Sequence, residues 1–186
     1  MTIDEALFEA EEGMEKSVDF MMHEFAGIRT GKASPALVEN LDVEAYGSAM
    51  KLKQLALISA PEPRLLVIQP FDASTVRDIE RAINESKIGI TPAVDGKIIR
   101  IPIPELSEER RKDLVKTVRT LAEEARVRVR SSRREAMEAA KKLQKEGDIT
   151  EDDLRVSETD IQKLTDRFVE SIDKHVATKE AELMKI

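Results

Sequence analysis

Apolar residues recur every three or four positions near the start of the chain, at Ile3, Leu7, Ala10, Met14, Val18, Met21, Phe25 and Ile28. That spacing places them on one face of a helix. Thr2 and Glu5 stand at the separation of a capping box, which starts such a helix. A second periodic stretch follows Pro104, with Ser107 as N-cap and Arg110 at the third helical position. Its stripe runs through Leu114, Val118, Leu121, Ala125, Val129, Ser132, Ala136, Ala139 and Leu143 towards Gly147. This repeat packs helices nearly side by side, and at 1.5 Å per residue the rod is roughly 55–60 Å long. Beyond Gly147, Thr150 with Asp153 caps a third helix carrying Leu154, Ile161, Leu164, Phe168, Ile172, Val176 and Leu183. Three long amphipathic helices predict one bundle.

The pattern changes between residues 30 and 105. Short runs rich in β-branched residues, "LDVEAY", "LALISA", "RLLVIQP" and "GKIIRIPIP", are separated by Gly47-Ser48, Pro61 and Pro63, and Asp95-Gly96 is a hairpin signal. Within this stretch "DASTVRDIERAINES" reads as one helix with Val76, Ile79 and Ile83 on its buried face. The expected fold is therefore α+β: a three-helix bundle made of residues 1–29 and 106–186, interrupted by a small α/β domain at 30–105. Gly31 and Ser34-Pro35 break the first helix on entry, and Pro102 and Pro104 stiffen the exit. Two adjacent single-chain connections predict a hinge.

Composition narrows the chemistry. Of the 186 residues 41% are hydrophobic, enough for a packed core. No apolar run approaches a membrane span and no signal segment opens the chain, so a cytoplasmic protein is expected. There is no cysteine, and the two histidines, His23 and His175, fall on separate helical patterns. Thiolate chemistry is excluded, and serine–histidine triads and metal catalysis have little to build on. Glu11-Glu12 and Asp152-Asp153 occupy helix starts or polar faces, where capping and solvation account for them. No convergent acid–base set is visible, so an enzyme is not expected, nor a cofactor.

"GIRTGKASPA" at 27–36 resembles a phosphate-binding loop at first sight. Such a loop needs glycine five positions before its Gly-Lys pair and Ser or Thr just after it. Here those positions are Ala26 and Ala33, and the stretch precedes the β segments instead of following one. It reads as a joint.

Charge gives a stronger lead. The chain carries a net charge of -7, yet residues 110–145 hold 13 basic and 5 acidic groups, while residues 1–29 and 146–186 are each -6. On a helical wheel Lys112, Arg119, Arg126, Arg130 and Arg133 fall within roughly 60° of one another, with Lys116, Arg134 and Lys141 beside them. A linear array of guanidinium forks suits a phosphate backbone. With few aromatics to stack on bases, helical RNA is the expected ligand. Two other readings stay open on these residues alone. The charge can serve ion pairs across the bundle of a protein-binding helical scaffold, or simply a solvated face.

Five blocks carry a family resemblance: "IRTGKASPALV" at 28–38, "IRIPIPELSEERRKDLVKTVR" at 99–119, "EEARVRVRSSRREA" at 123–136, "ITEDD" at 149–153 and "QKLTDRFVESIDKHVATKEAELM" at 162–184. Collinear over essentially the whole chain, they resemble the bacterial ribosome recycling factors. The resemblance implies an L-shaped, two-domain molecule of tRNA-like dimensions, monomeric, with its bundle along large-subunit ribosomal RNA across the tRNA sites. It also implies that elongation factor G, using GTP, acts on the smaller domain so that the post-termination ribosome splits and releases mRNA and tRNA. The family's arginine run maps to Arg130, Arg133 and Arg134, which are the expected RNA contacts together with Arg126, Arg119, Arg29 and Lys32. Ser131 stands where many members have asparagine. The hinge maps to Arg29, Thr30, Gly31 and Lys32 on one strand and to Pro104, Glu105 and Leu106 on the other. A ribosome-silencing factor would share the RNA contact with the opposite effect on the subunits.

Overall fold

The computed structural model describes residues 1–185, which form two compact units: residues 1–25 with 113–185, and residues 26–112. In the first unit three long helices pack together: α1 (Ile3–Ala26), α4 (Glu108–Glu146) and α5 (Glu151–Met184). Each starts where the sequence has a cap. The Thr2 N–H donates to Glu5 Oε2 at 2.7 Å while the Glu5 N–H donates to Thr2 Oγ1 at 3.2 Å. The Arg110 N–H donates to Ser107 Oγ at 3.2 Å, and Thr150 and Asp153 form the reciprocal box of α5. The helix α4 ends in a Schellman motif at Gly147, whose φ of +83° lets the Asp148 N–H reach the Leu143 carbonyl at 2.9 Å.

The bundle core combines large buried side chains, among them Met14, Met21, Phe25 and Ile172, with alanines where the helices come nearest. Ala10 of α1, Ala136 and Ala140 of α4 and Ile161 of α5 are buried together, with Leu7, Met137 and Leu164 packed at their edge. A Cβ on Gly13 would stand 2.8 Å from Ser132 Oγ, so α1 and α4 approach closely there. On α4 the fully buried positions include Ala122 and Ala140, with Leu121 and Ala139 only half-buried. The expected stripe is buried at Leu114, Val118, Ala125, Val129, Ala136 and Leu143 and shifts by one residue only at Ala122 and Ala140; at the first of these alanine fits where the helices come nearest and the larger Leu121 fits the flank. On α5, Ser157 and Thr165 are buried, with hydroxyls that donate back to the carbonyls of Asp153 and Ile161 at 2.7 and 2.8 Å.

The second unit holds strands β1 (Asp42–Ala45) and β2 (Ser48–Lys51), a one-turn helix α2 (Leu52–Leu55), strands β3 (Ala56–Glu62) and β4 (Leu65–Pro70), helix α3 (Val76–Glu85), and strands β5 (Ala93–Asp95) and β6 (Ile98–Pro102). An antiparallel hairpin pairs β1 with β2, and a four-stranded antiparallel sheet has the order β3-β4-β6-β5. Pro61 lies in β3, an edge strand, at an irregularity between Ser59 and Glu62, where a missing N–H is tolerated. Leu52, Leu66, Ile68, Ile79, Ile83, Ile99 and Ile101 fill the core. The β1–β2 connection is Tyr46-Gly47, with φ of 55° and 76°. Two positive angles define the turn that matches strand twist, and tyrosine is a costly choice for the first of them.

Candidate nucleic-acid interface

A groove of about 1120 Å³ lies between α4 and α5. From α4 it is lined by Arg130, Ser131, Arg133, Arg134 and Lys141, with Val127 and Met137 adding apolar surface, and from α5 by Arg155, Glu158, Thr159, Gln162, Lys163 and Asp166. Six cations face two carboxylates across this space. The Arg133 guanidinium donates to Gln162 Oε1 at 3.4 Å, and Gln162 Nε2 donates to Asp166 Oδ1 at 2.8 Å, so a neutral amide separates that arginine from the acid. Arg134 is exposed and has no ion pair among the described residues. Ser131 donates to Glu135 Oε1 at 3.0 Å.

The helix wheel sets all five basic residues on one outward ridge, but the packed bundle divides them. Arg119 Nε donates to Glu180 Oε1 at 2.7 Å, and Arg126 Nη2 to Asp173 Oδ1 at 2.6 Å, both acceptors being on α5. Arg126 is turned well inward, with only 23% of its side chain exposed. These hydrogen-bonded carboxylates raise the pKa of both guanidinium groups. Glu123 accepts from Arg130 at 3.1 Å and from Arg126 at 3.3 Å, and these bonds hold its carboxyl below the usual carboxylate range. Arg130 and Arg133 therefore meet at the groove with Arg134, whereas Arg119 and Arg126 lie outside it, facing α5 acids. Arg155 and Lys163 were not part of the sequence expectation. A wheel of one helix cannot show which residues a neighbouring helix adds, and the antiparallel pairing of α4 with α5 is the signal that would have found them.

Arg29 and Lys32 belong to the other unit. Lys32 is exposed and Thr30 half-buried, and Gly31 has a φ of +82° with open space around it. Arg29 is half-buried: Nη2 donates to the Pro104 carbonyl and Nη1 reaches the Gly89 carbonyl at 3.5 Å, while Nε is buried without a partner among the described residues. Burial, with a smaller contribution from Arg110, lowers its pKa. Glu105 pairs with Arg64, the Ile103 N–H donates to the Arg64 carbonyl at 2.8 Å, and Leu106 is buried. The strands entering and leaving this unit are thereby tied together at its base.

Among the described residues no group of His, Cys, Asp or Glu could hold a metal ion, and no helix is long and apolar enough to cross a membrane. The sequence model of the ribosome recycling factor family matches residues 21–184. The ribosome-recycling factor of Akkermansia muciniphila is 62% identical, the match covering 100% of both chains, and that of Rubrobacter xylanophilus is 52% identical over 97% of each. A ribosome recycling factor solved in solution superimposes with a TM-score of 0.80 at 43% identity, covering 99% of this chain and 98% of that one. A T. thermophilus ribosome recycling factor, described with E. coli elongation factor G bound to the E. coli post-termination complex, gives 0.70 at 45% identity with both chains fully covered. With the family model over residues 21–184 and relatives matched over nearly its whole length, the chain belongs to the ribosome recycling factor family.

Proposed function

We propose that this protein acts with elongation factor G and GTP to take the post-termination ribosome apart into subunits, freeing mRNA and tRNA. The observation that carries this reading is the end-to-end identity of 62% with a ribosome-recycling factor. Recycling factors perform no covalent step of their own. GTP hydrolysis is the partner's reaction, so the chain needs no cofactor and works as a monomer in the cytoplasm.

Within that reading the groove between α4 and α5 is the RNA anchor. Arg133, Arg130 and Arg134 present guanidinium forks that fit phosphate oxygens, and Lys141, Arg155 and Lys163 add charge along the same path. Arg119 and Arg126 join by exchanging an α5 carboxylate for a phosphate, since surface ion pairs hold weakly. Lys32 is a further exposed contact, while Arg29 serves the base of the small unit. The functional joint runs through Arg29, Thr30, Gly31 and Lys32 on one side and Pro104, Glu105 and Leu106 on the other, dividing the 30–105 insert from the bundle.

Light scattering of post-termination ribosomes tests the reading directly. Scattering falls only when protein, elongation factor G and GTP are all present. Arg133→Ala weakens ribosome binding by about tenfold, and the salt dependence of binding loses about one unit of slope. Salt-insensitive binding with an unchanged Arg133→Ala protein would instead support the scaffold reading, which the Arg119–Glu180 and Arg126–Asp173 pairs favour along part of the ridge. Joined subunits stabilised by the protein would point to silencing.

A further inference from the structure

The ion pairs between α4 and α5 follow a rule that one position breaks. Arg119 of α4 bonds Glu180 of α5 at 2.7 Å, and Arg126 bonds Asp173 at 2.6 Å. From the first pair to the second, α4 advances seven residues and α5 goes back seven. Seven residues are close to two helical turns, so an antiparallel pair of helices turns the same faces to each other at that step. One more step brings Arg133 opposite Asp166. A third rung of guanidinium and carboxylate is expected there. Instead each of the two is bonded to Gln162, and neither has an ion pair among the described residues.

Gln162 lies one turn before Asp166 on α5, and its amide serves both residues at once. Its Oε1 accepts from Arg133 Nη1 at 3.4 Å, while its Nε2 donates to Asp166 Oδ1 at 2.8 Å. An amide has an accepting end and a donating end, so one side chain satisfies a donor-only guanidinium and an acceptor-only carboxylate without joining their charges. The short bond holds the carboxylate, and the long one meets the arginine. Arg119 and Arg126 must release a charged partner before they take a phosphate, whereas Arg133 releases only a long bond to a neutral group.

We propose that Gln162 is a positioning residue for RNA binding, which holds Asp166 out of the third rung and so keeps Arg133 available to a phosphate. The inference rests on the reading of the α4–α5 groove as the RNA anchor, and adds to it a neutral residue of α5 that a count of charges passes over. An uninterrupted ladder would tie up every α5-facing arginine of α4 in the bundle. The interruption falls in the groove, where Arg134, Arg155 and Lys163 are also present, so the arginine left without a carboxylate is one with other cations around it. Released from Gln162, Asp166 closes the rung, and Arg133 is neutralised with no change in the net charge of the protein.

The test is a double-mutant cycle on Gln162 and Asp166, read as binding of the full-length protein to purified large ribosomal subunits at one salt concentration. Gln162→Ala removes no charge, yet weakens binding about threefold as Asp166 pairs with Arg133. Asp166→Asn strengthens binding by less than about twofold in the wild-type protein and about fivefold in Gln162→Ala, which brings the double variant level with Asp166→Asn alone. A second readout uses the free protein: in NMR spectra the Arg133 guanidinium protons exchange with water more slowly in Gln162→Ala than in the wild type, and fast again in the double variant. Simple loss of the Gln162 bond would speed that exchange. Both substituted side chains are exposed, and thermal melts check that each variant is folded. Equal strengthening by Asp166→Asn in the two backgrounds, or faster guanidinium exchange in Gln162→Ala, would overturn the proposal. Arg133→Ala, measured alongside, separates it from the reading beneath it. If Arg133→Ala weakens binding and Gln162→Ala does not, the positioning role falls and the anchor stands; if Arg133→Ala binds like the wild type, both fall.

Discussion

The two units solve the packing problem with different side chains. In the small unit the core is volume: Leu52, Leu66, Ile68, Ile79, Ile83, Ile99 and Ile101 are almost wholly buried between sheet, hairpin and α3. The bundle also buries large side chains such as Met14, Met21, Phe25 and Ile172, but its helices come nearest at small ones, Ala10, Ala122, Ala125, Ala136 and Ala140, with Gly13 against Ser132. The first design depends on filling a space. The second depends on keeping helices near enough for long rows of contacts to form. Removing atoms should therefore harm the small unit, and adding them should harm the bundle.

The largest expected effect is that of Ile68→Ala, which leaves a cavity in the central strand and costs about 3 kcal/mol by denaturant titration. Next comes Ala140→Leu, which forces α4 away from its neighbours and costs about 2 kcal/mol. If Ala140→Leu proved neutral, the bundle would have slack at its centre and the contrast would fail. Thr150→Ala removes the cap of α5 and costs about 1 kcal/mol, read from the same titration. The smallest effect has the opposite sign. Tyr46→Asn replaces a residue strained at positive φ by one suited to the turn, and raises the melting temperature of the small unit by a few degrees.

How far the fold could be read from the chain follows from the same contrast. Helix starts were legible because Thr2 with Glu5, Ser107 with Arg110 and Thr150 with Asp153 act locally, and their hydrogen bonds are in place. Most of the buried face of α4 is legible from its period, but it departs at Ala122, because periodicity ranks positions by hydrophobicity, which favours Leu121, while helix proximity favours the smaller side chain. The helix Leu52–Leu55 and the 3-10 turn Pro35–Leu37 are too short to carry a period, and they are held by tertiary hydrogen bonds such as Leu52 N–H to the Leu41 carbonyl at 2.9 Å. The α4 side of the groove was visible as a charge run. Its α5 side, Arg155 and Lys163, was hidden because those residues sit in an acidic segment whose net charge masks them.

The bond from Arg29 to the Pro104 carbonyl bears, finally, on how the chain reaches this fold. Between Ala26 at the end of α1 and Glu108 at the start of α4 lie 81 residues. Closing a flexible loop of that length costs on the order of 4 kcal/mol in chain entropy. Once the small unit has folded, its entering and leaving strands are pinned together at Arg29, and the loop that remains between the two helices is only a few residues long. A search across most of the chain is thereby replaced by two searches over short distances, which is the condition for rapid folding. Cutting the Arg29 tie should leave the finished bundle nearly as stable while slowing its assembly.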